Sequence, residues 1–377
     1  MIEILDENSR FHRQELVTWW DQAKLSKAKV LVVGAGALGN EVVKNLVLVG
    51  VAEIVVCDMD TIENSNLSRC VFFTEEDLGS YKAETLAAKA TALYSGVHVT
   101  ASTQAVQRLG IAALQDFDLV MGALDNREAR AWVNQACRKL GKPWIDAAIE
   151  GLRAIVRMFG EDGPCYACTL TEADYKQMSH RKSCALLSPD DLETGKTPTN
   201  ATTASIAAAM QVQEAIKFLV GKPELLSLVG KAWQYTGDTL VSYTVGYQQD
   251  DYCIAHDRYE LIRSTNAKSP LEMAQSFGEN ISDFVAVDFE EELITLGSCH
   301  NCGHGAQMTM LRSSFQVGEG VCSSCGINRP ATMRTLIAPD DPAMSLSFEA
   351  LGLAQRDIVT LRTATERFHF EVRRLIG

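Results

Sequence analysis

Apolar positions along the first part of the chain alternate between two rhythms. Val30 to Val33 form an unbroken apolar run, which fits a strand buried on both faces. A glycine turn follows, and then Val42, Val43, Leu46 and Val49 recur at helical spacing. The alternation continues with "VAEIVVCDMD" as a strand ending in acids, and "LGSYKAETLAAKATALYSG" as an alanine-rich helix. "VHVTASTQAV" and "DLVMGALDN" read as strands, "REARAWVNQACRKLG" as a helix, and "PWIDAAIEG" and "LRAIVRMFG" as strands. Strands alternating with helices predict an α/β, Rossmann-like, mostly parallel sheet covered on both faces.

From about 164 to 200 the rhythm lapses into a stretch rich in Ser, Thr, Pro and charge, longer than an ordinary connection. It resumes with the helix "ATTASIAAAMQVQEAIKFLVG" and the strands "LVGKAWQYTG" and "LVSYTVGY". After "CIAHDRYEL" the composition changes, and residues 257–377 read as a separate small α+β module. There "DFVAVDFEEELITLG" alternates like strands, "SLSFEALGLAQRDIVTLRT" reads as a short helix, a turn and a strand, and "ATERFHFEVRRLIG" as a closing amphipathic strand. A length of 377 residues agrees with two domains, 1–256 and 257–377.

Composition narrows the classes. A formal charge of −13 argues against a nucleic-acid partner, which needs concentrated Lys and Arg, and suits solubility or a basic protein partner. No apolar run approaches the ~18 residues of a membrane span, and "MIEILDENSRFHRQEL" lacks the form of a signal peptide. The expectation is a cytoplasmic protein without a membrane partner. Eleven cysteines then need a reason other than disulfides, and six fall in CxxC pairs.

Candidate chemistry begins at "GAGALG", where Gly34, Gly36 and Gly39 link a strand to a helix, so that backbone amides can approach phosphate. Asp58 and Asp60, at the end of the next strand, are placed to bond ribose hydroxyls. To this point a nicotinamide dinucleotide and ATP fit equally. Asn66 and Arg69 in "DTIENSNLSR" and Lys82 in "LGSYKAE" add polar and cationic groups suited to a triphosphate attacked at its α-phosphate. Asp125 in "GALDN" ends a strand on the ligand side and could hold Mg²⁺.

"VLVVGAGALGNEVVKNLVLVGVAEIVVCDMDTIENSNLSR", "LGSYKAE" and "LDN" before a helix together resemble the adenylation domain of ubiquitin-activating enzymes and of the sulfur-carrier adenylyltransferases ThiF and MoeB. "TTASIAAAMQVQEAIKFL" is similar to the family's late helix and "RFHRQEL" to its opening, so the resemblance spans about residues 8–256. It implies binding of ATP and Mg²⁺ and adenylation of the C-terminal glycine of a ubiquitin-like protein. It implies Asp58 as the ribose acid, Asn66, Arg69 and Lys82 as phosphate contacts, and Asp125 as the metal and catalytic aspartate. It also implies that Arg13 is the arginine supplied across a homodimer to the partner's ATP.

The cysteines sort accordingly. Cys299, Cys302, Cys322 and Cys325, with pairs nineteen residues apart and a glycine after each pair, form a full structural Zn²⁺ set by spacing alone. Cys165 and Cys168 are half a zinc site, which the resemblance completes with Cys253 and His256. Cys57 and Cys137 read as packing residues, Cys70 less clearly so. Cys184 remains, in polar "SHRKSCALLSPDD", where the resemblance implies a crossover loop over the bound protein tail. A thiolate there, its pKa lowered by His180, Arg181 and Lys182, could take the acyl group as a thioester. The C-terminal module would recruit a partner such as a conjugating enzyme. The competing expectations are a sulfur-carrier adenylyltransferase of the thiamine or molybdopterin type, an NAD-dependent oxidoreductase, and a silent scaffold subunit.

Overall fold

The computed structural model describes residues 8–176, 198–277, 284–315 and 318–373. They divide into two compact units, the first drawn from the described residues of 8–106, 114–170 and 198–258, the second from those of 107–113, 171–176 and 259–373.

The first unit is built on an eight-stranded sheet. Its strands are β1 (Lys29–Val33), β2 (Glu53–Cys57), β3 (His98–Ser102), β4 (Leu119–Gly122), β5 (Trp144–Glu150), β6 (Arg153–Phe159), β7 (Lys231–Thr236) and β8 (Val241–Gly246). In space they run β3-β2-β1-β4-β5-β6-β7-β8. The first five are parallel, and β6, β7 and β8 add antiparallel hairpins. The helices are α1 (His12–Glu15), α2 (Gln22–Leu25), α3 (Ala37–Val49), α4 (Lys82–Leu93), α5 (Arg127–Lys139) and α6 (Ala201–Leu219). Residues of β1 are almost wholly buried, as an apolar run in a covered parallel sheet requires. In α3, Val42, Val43, Leu46 and Val47 are fully buried, and each side chain contributes about 1.5–3 kcal/mol by leaving water. The helix ends at Gly50, whose left-handed φ of 81° turns the chain back.

Strand order reverses between β1 and β4, which opens a crevice at their carboxyl ends, the usual ligand site of such sheets. From beneath, Gln211 of α6 donates to the carbonyls of Gly122 (3.0 Å) and Ile145 (2.9 Å) and fixes the ends of β4 and β5.

The second unit has its own apolar core, with Val287, Leu293, Ile337, Leu351 and Val359 at its centre. Its strands are β9 (Ile262–Thr265), β10 (Phe284–Leu296), β11 (Met308–Leu311), β12 (Ala331–Ile337), β13 (Ile358–Thr363) and β14 (Arg367–Val372). They run β11-β10-β13-β14-β9, with β12 also on β10. One helix, α7 (Pro270–Ser276), was not foreseen. The short helix expected in "SLSFEALG" is a single turn. Leu351 N–H reaches Ser347 O at 2.9 Å, but Leu353 N–H already closes on Phe348 O at 2.8 Å, and Gly352 takes a φ of 76°. That glycine closure ends the turn before it can propagate.

The segment 107–113, lying in sequence between β3 and β4, belongs to the second unit. Ala112 N–H donates to Arg356 O at 3.1 Å, Ile111 N–H to Asp357 Oδ1 at 3.3 Å, and the Arg108 guanidinium to Ser314 Oγ at 2.7 Å.

Candidate functional site

The three glycines of the turn do different work. Gly34 has a φ of 105°, and a Cβ there would lie 2.4 Å from Ala123 O. A Cβ on Gly39 would lie 2.0 Å from Gly34 O, so α3 packs onto the turn only without one. Gly36 meets nothing within 4 Å. Its open side, at the N-terminus of the 13-residue α3, is where a phosphate can approach free amides and the positive end of the helix.

The structure brings Asp58, Asp60 and Lys82 to this turn. Asp58 Oδ2 accepts from Ala35 N at 2.6 Å and its Oδ1 from Asp60 N at 2.8 Å. Burial pushes the Asp58 carboxyl above its ordinary range, while those two amides and the Lys82 charge oppose the rise. Lys82 opens α4, donates its N–H to Asp60 O at 2.9 Å and places Nζ 2.8 Å from Asp60 Oδ2. Burial works against its charge, but Asp60 and Asp58 outweigh it and hold the amine protonated above its usual range.

Other expected residues lie nearby in the chain but are engaged locally. Asn66 is buried, and its Oδ1 accepts from Glu63 N at 2.9 Å, which caps the short turn Asn64–Asn66. Arg69 is half-buried and rests its guanidinium on Ser65 O. Asp125 is exposed, just beyond Ala123, the residue against which Gly34 packs, and its Oδ1 lies 3.4 Å from the Asn126 amide. Arg13 is exposed on α1 and has no hydrogen-bond or ion-pair partner among the described residues. Cys184, with His180, Arg181 and Lys182, lies outside the described residues.

Two clusters of thiols and imidazole could hold zinc. In the first unit the ligand atoms of Cys165, Cys168, Cys253 and His256 lie within 4.8 Å of one another. Cys165 Sγ is 3.8 Å from Cys168 Sγ and 3.7 Å from Cys253 Sγ, and Cys168 Sγ is 3.2 Å from His256 Nε2. A tetrahedral ion with Zn–S bonds of about 2.3 Å sets sulfurs about 3.8 Å apart, so the donor set fits. Burial and the neighbouring Cys165 and Cys168 sulfurs push the Cys253 thiol up to about 12, a repulsion that a bound cation relieves. Burial, then the Arg138 charge, lowers the His256 imidazole, which favours the neutral form that ligates.

In the second unit Cys299, Cys302, Cys322 and Cys325 also lie within 4.8 Å of one another, with Cys299 and Cys325 sulfurs 3.5 Å apart and Cys302 and Cys322 sulfurs 3.6 Å apart. Each pair sits in a matching knuckle: Gly303 N–H returns to Cys299 O and Gly326 N–H to Cys322 O, both at 2.8 Å. The amides of Cys302 and Asn301 pull the Cys299 thiol down to about 6, toward the thiolate a metal takes. Cys57, Cys70 and Cys137 are buried, and burial raises all three thiols, as expected of packing residues.

Sequence reasoning missed a polar stripe on α5. Asn126, Arg130, Asn134 and Arg138 stand one turn apart, and the last three are buried. Asn126 caps the helix by accepting from Ala129 N at 2.7 Å. Arg130 meets fully buried Asp146 at 2.9 Å and also donates to Leu124 O, beside Asp125. Arg157 reaches the same Asp146 from β6 at 2.5 Å. Asn134 Nδ2 points at Cys165 Sγ at 3.4 Å while its Oδ1 accepts from Tyr166 N at 2.8 Å. Arg138 donates to Gly160 O at 3.3 Å and to Glu161 O. The four-residue repeat was visible in "NREARAWVNQACR", but a polar stripe on a helix ordinarily faces water.

Comparison with known proteins points to one family. Residues 10–250 match the ThiF family. A SAMP-activating enzyme E1 of Haloferax volcanii is 32% identical over 256 residues, 66% of this chain and 87% of that protein. A sulfur carrier protein adenylyltransferase of Thermus thermophilus is 39% identical over 173 residues, 43% of this chain and 64% of that protein. The crystal structure of E. coli MccB with ATP superposes with a TM-score of 0.56 and 26% identity, covering 66% of this chain and 74% of that one.

Proposed function

The chain belongs to the ThiF family, and from that premise we propose that it uses ATP to adenylate the C-terminal glycine of a ubiquitin-like protein and then takes the acyl group on Cys184. The observation that carries this reading is the convergence of the glycine turn, Asp58, Asp60 and Lys82 at the β1–β4 crevice. In the first step the glycine carboxylate attacks the α-phosphate of ATP, and pyrophosphate leaves. Asp58 binds ribose hydroxyls, and the open side of Gly36 receives phosphate. Lys82 and Arg69 offset the charge that develops there once they leave their present partners, and the Asn66 amide adds a hydrogen bond. Asp125 would hold Mg²⁺, which supplies charge neutralisation at the phosphates. Arg13, exposed and without a described partner, is free to serve a second copy of the chain, so adenylation would depend on a homodimer. In the second step the Cys184 thiolate attacks the acyl carbon, forms a thioester and releases AMP. A conjugating enzyme then receives the carrier protein, with the second unit as its docking module and the cytoplasm as the place of action.

The test is carrier-dependent exchange of labelled pyrophosphate into ATP, using ubiquitin-like proteins that end in glycine as candidate carriers. Lys82→Ala should lower exchange about 10²-fold, the scale of removing one preorganised charge. A thiol-sensitive adduct on a non-reducing gel should vanish in Cys184→Ala. Exchange without any carrier requirement rejects the protein substrate, and an adduct that survives the substitution moves the nucleophile elsewhere. The 39% identity to the Thermus adenylyltransferase supports a second reading, a sulfur-carrier enzyme. Under it, exchange occurs, no thioester forms, and a sulfur donor converts the adenylate into a thiocarboxylate.

A further inference from the structure

We propose that Asn40 is a positioning residue of the nucleotide site, one that sets the glycine turn and the segment carrying Arg69 at a fixed distance from each other. The inference rests on the ATP reading above. Asn40 lies in the first turns of α3 and is 0% exposed. Its amide has two donor hydrogens and one oxygen, and each is used. Nδ2 donates to Ala35 O at 2.8 Å and to Gly36 O at 3.1 Å, and Oδ1 accepts from Phe72 N at 3.1 Å. All three partners are backbone groups. A carbonyl can only accept and an N–H can only donate, so the orientation of the side chain is determined by its surroundings.

The contacts fix the turn from behind. The peptide units on both sides of Ala35 are held, the first through Ala35 N–H by Asp58 at 2.6 Å and the second through Ala35 O by Asn40. The Gly36 carbonyl receives the Asn40 side chain and also the Asn40 backbone N–H at 2.9 Å. The Ala35 and Gly36 carbonyls therefore both face Asn40, and the open side of Gly36 is left to a phosphate.

The other end of the amide reaches the segment that supplies the cation. Arg69 N–H and Cys70 N–H both close on Asn66 O at 3.0 Å, and Phe73 N–H closes on Cys70 O at 3.1 Å. Phe72 is buried in the core and sets the depth of this segment, while Asn40 sets its register against the turn. Arg69 now rests on Ser65 O and must swing to reach a phosphate. Its reach then depends on where its backbone is held, so Asn40 governs how Arg69 contributes.

The experiment is a double-mutant cycle on the affinity of the full-length protein for a non-hydrolysable ATP analogue, measured calorimetrically. Arg69→Ala, Asn40→Asp and the double variant are compared with wild type. Asn40→Asp keeps the volume and the bond from Phe72 but sets a carboxylate against two carbonyls. Asn40→Thr is the second probe. Its hydroxyl can return to the Gly36 carbonyl four residues back but is too short for Phe72. We expect each Asn40 variant to weaken binding tenfold or more, and the loss caused by Arg69→Ala to shrink at least fivefold in the Asn40 background. In pyrophosphate exchange the KM for ATP should rise while the KM for the carrier protein stays. Losses that multiply, or Asn40 variants that bind as wild type, overturn the proposal alone. Wild-type protein that binds no ATP overturns the functional reading, and this proposal with it.

Discussion

Asp357 is placed where a carboxylate is costly. It is half-buried in the second unit, where its Oδ1 accepts from Ile111 N at 3.3 Å and Ile358 N at 3.0 Å. Burial dominates those bonds, Glu291 and Glu290 of β10 face it with like charge, and its carboxyl is raised to about 7. A carboxyl raised on folding favours the protonated native state. Its contribution to stability is full below the ordinary value of 3.8 and is lost as pH rises toward 7. Replacing Asp357 with Asn should therefore flatten the fall in melting temperature across that window, read by thermal unfolding at stepped pH. An unchanged slope would assign the pH dependence to other groups. At this scale the sequence was legible wherever spacing encodes chemistry. The CxxC pairs, the glycine turn and the acid after β2 announce themselves by their intervals. Asn40 and Asp146 do not, because a buried polar residue is defined by partners that only the tertiary fold brings up, such as Phe72 for the first and two arginines for the second.

Among the elements, α5 is the one whose role the chain concealed. Its apolar residues Ala129, Val133, Ala136 and Cys137 are buried, and so are the polar Arg130, Asn134 and Arg138 on the neighbouring stripe. The apolar residues give α5 a one-sided pattern that marks it as a helix, but the polar stripe beside them reads as a solvent face and hides the second buried side. That stripe runs from the corner before Asp125 to the Cys165 cluster. Asn134→Ala should leave Tyr166 N–H unpaired and cost about 1–3 kcal/mol. The readouts are a lower melting temperature and faster loss of zinc to a chelator, and retention of both at wild-type levels would refute the link. The helix α7 had a readable start, since Ser269 accepts from Glu272 N at 3.1 Å and Pro270 occupies the first turn. Its seven residues hold too few apolar positions to register as a period. The helix expected at "SLSFEALG" stops at one turn because Gly352, in the left-handed region, closes it.

For the molecule as a whole, the two thiol clusters make a stoichiometric prediction. Zinc analysis should return two ions per chain, and Cys253→Ser and Cys302→Ser should each remove one, with destabilisation confined to the unit that lost its ion. A protein with one ion or none would leave a thiol cluster without its counter-charge. No helix among the described residues is long and apolar enough to cross a membrane. The family match ends at residue 250, whereas the second unit is completed by residues 107–113 from between β3 and β4. Ile111 and Ala112 within that stretch are 2% and 0% exposed, and both bond to the Arg356–Asp357 corner. A chimera that exchanges everything after residue 258 for another tail would therefore transplant an unfinished body. To graft this body whole, those seven residues must travel with it, from a loop more than a hundred positions upstream of the junction.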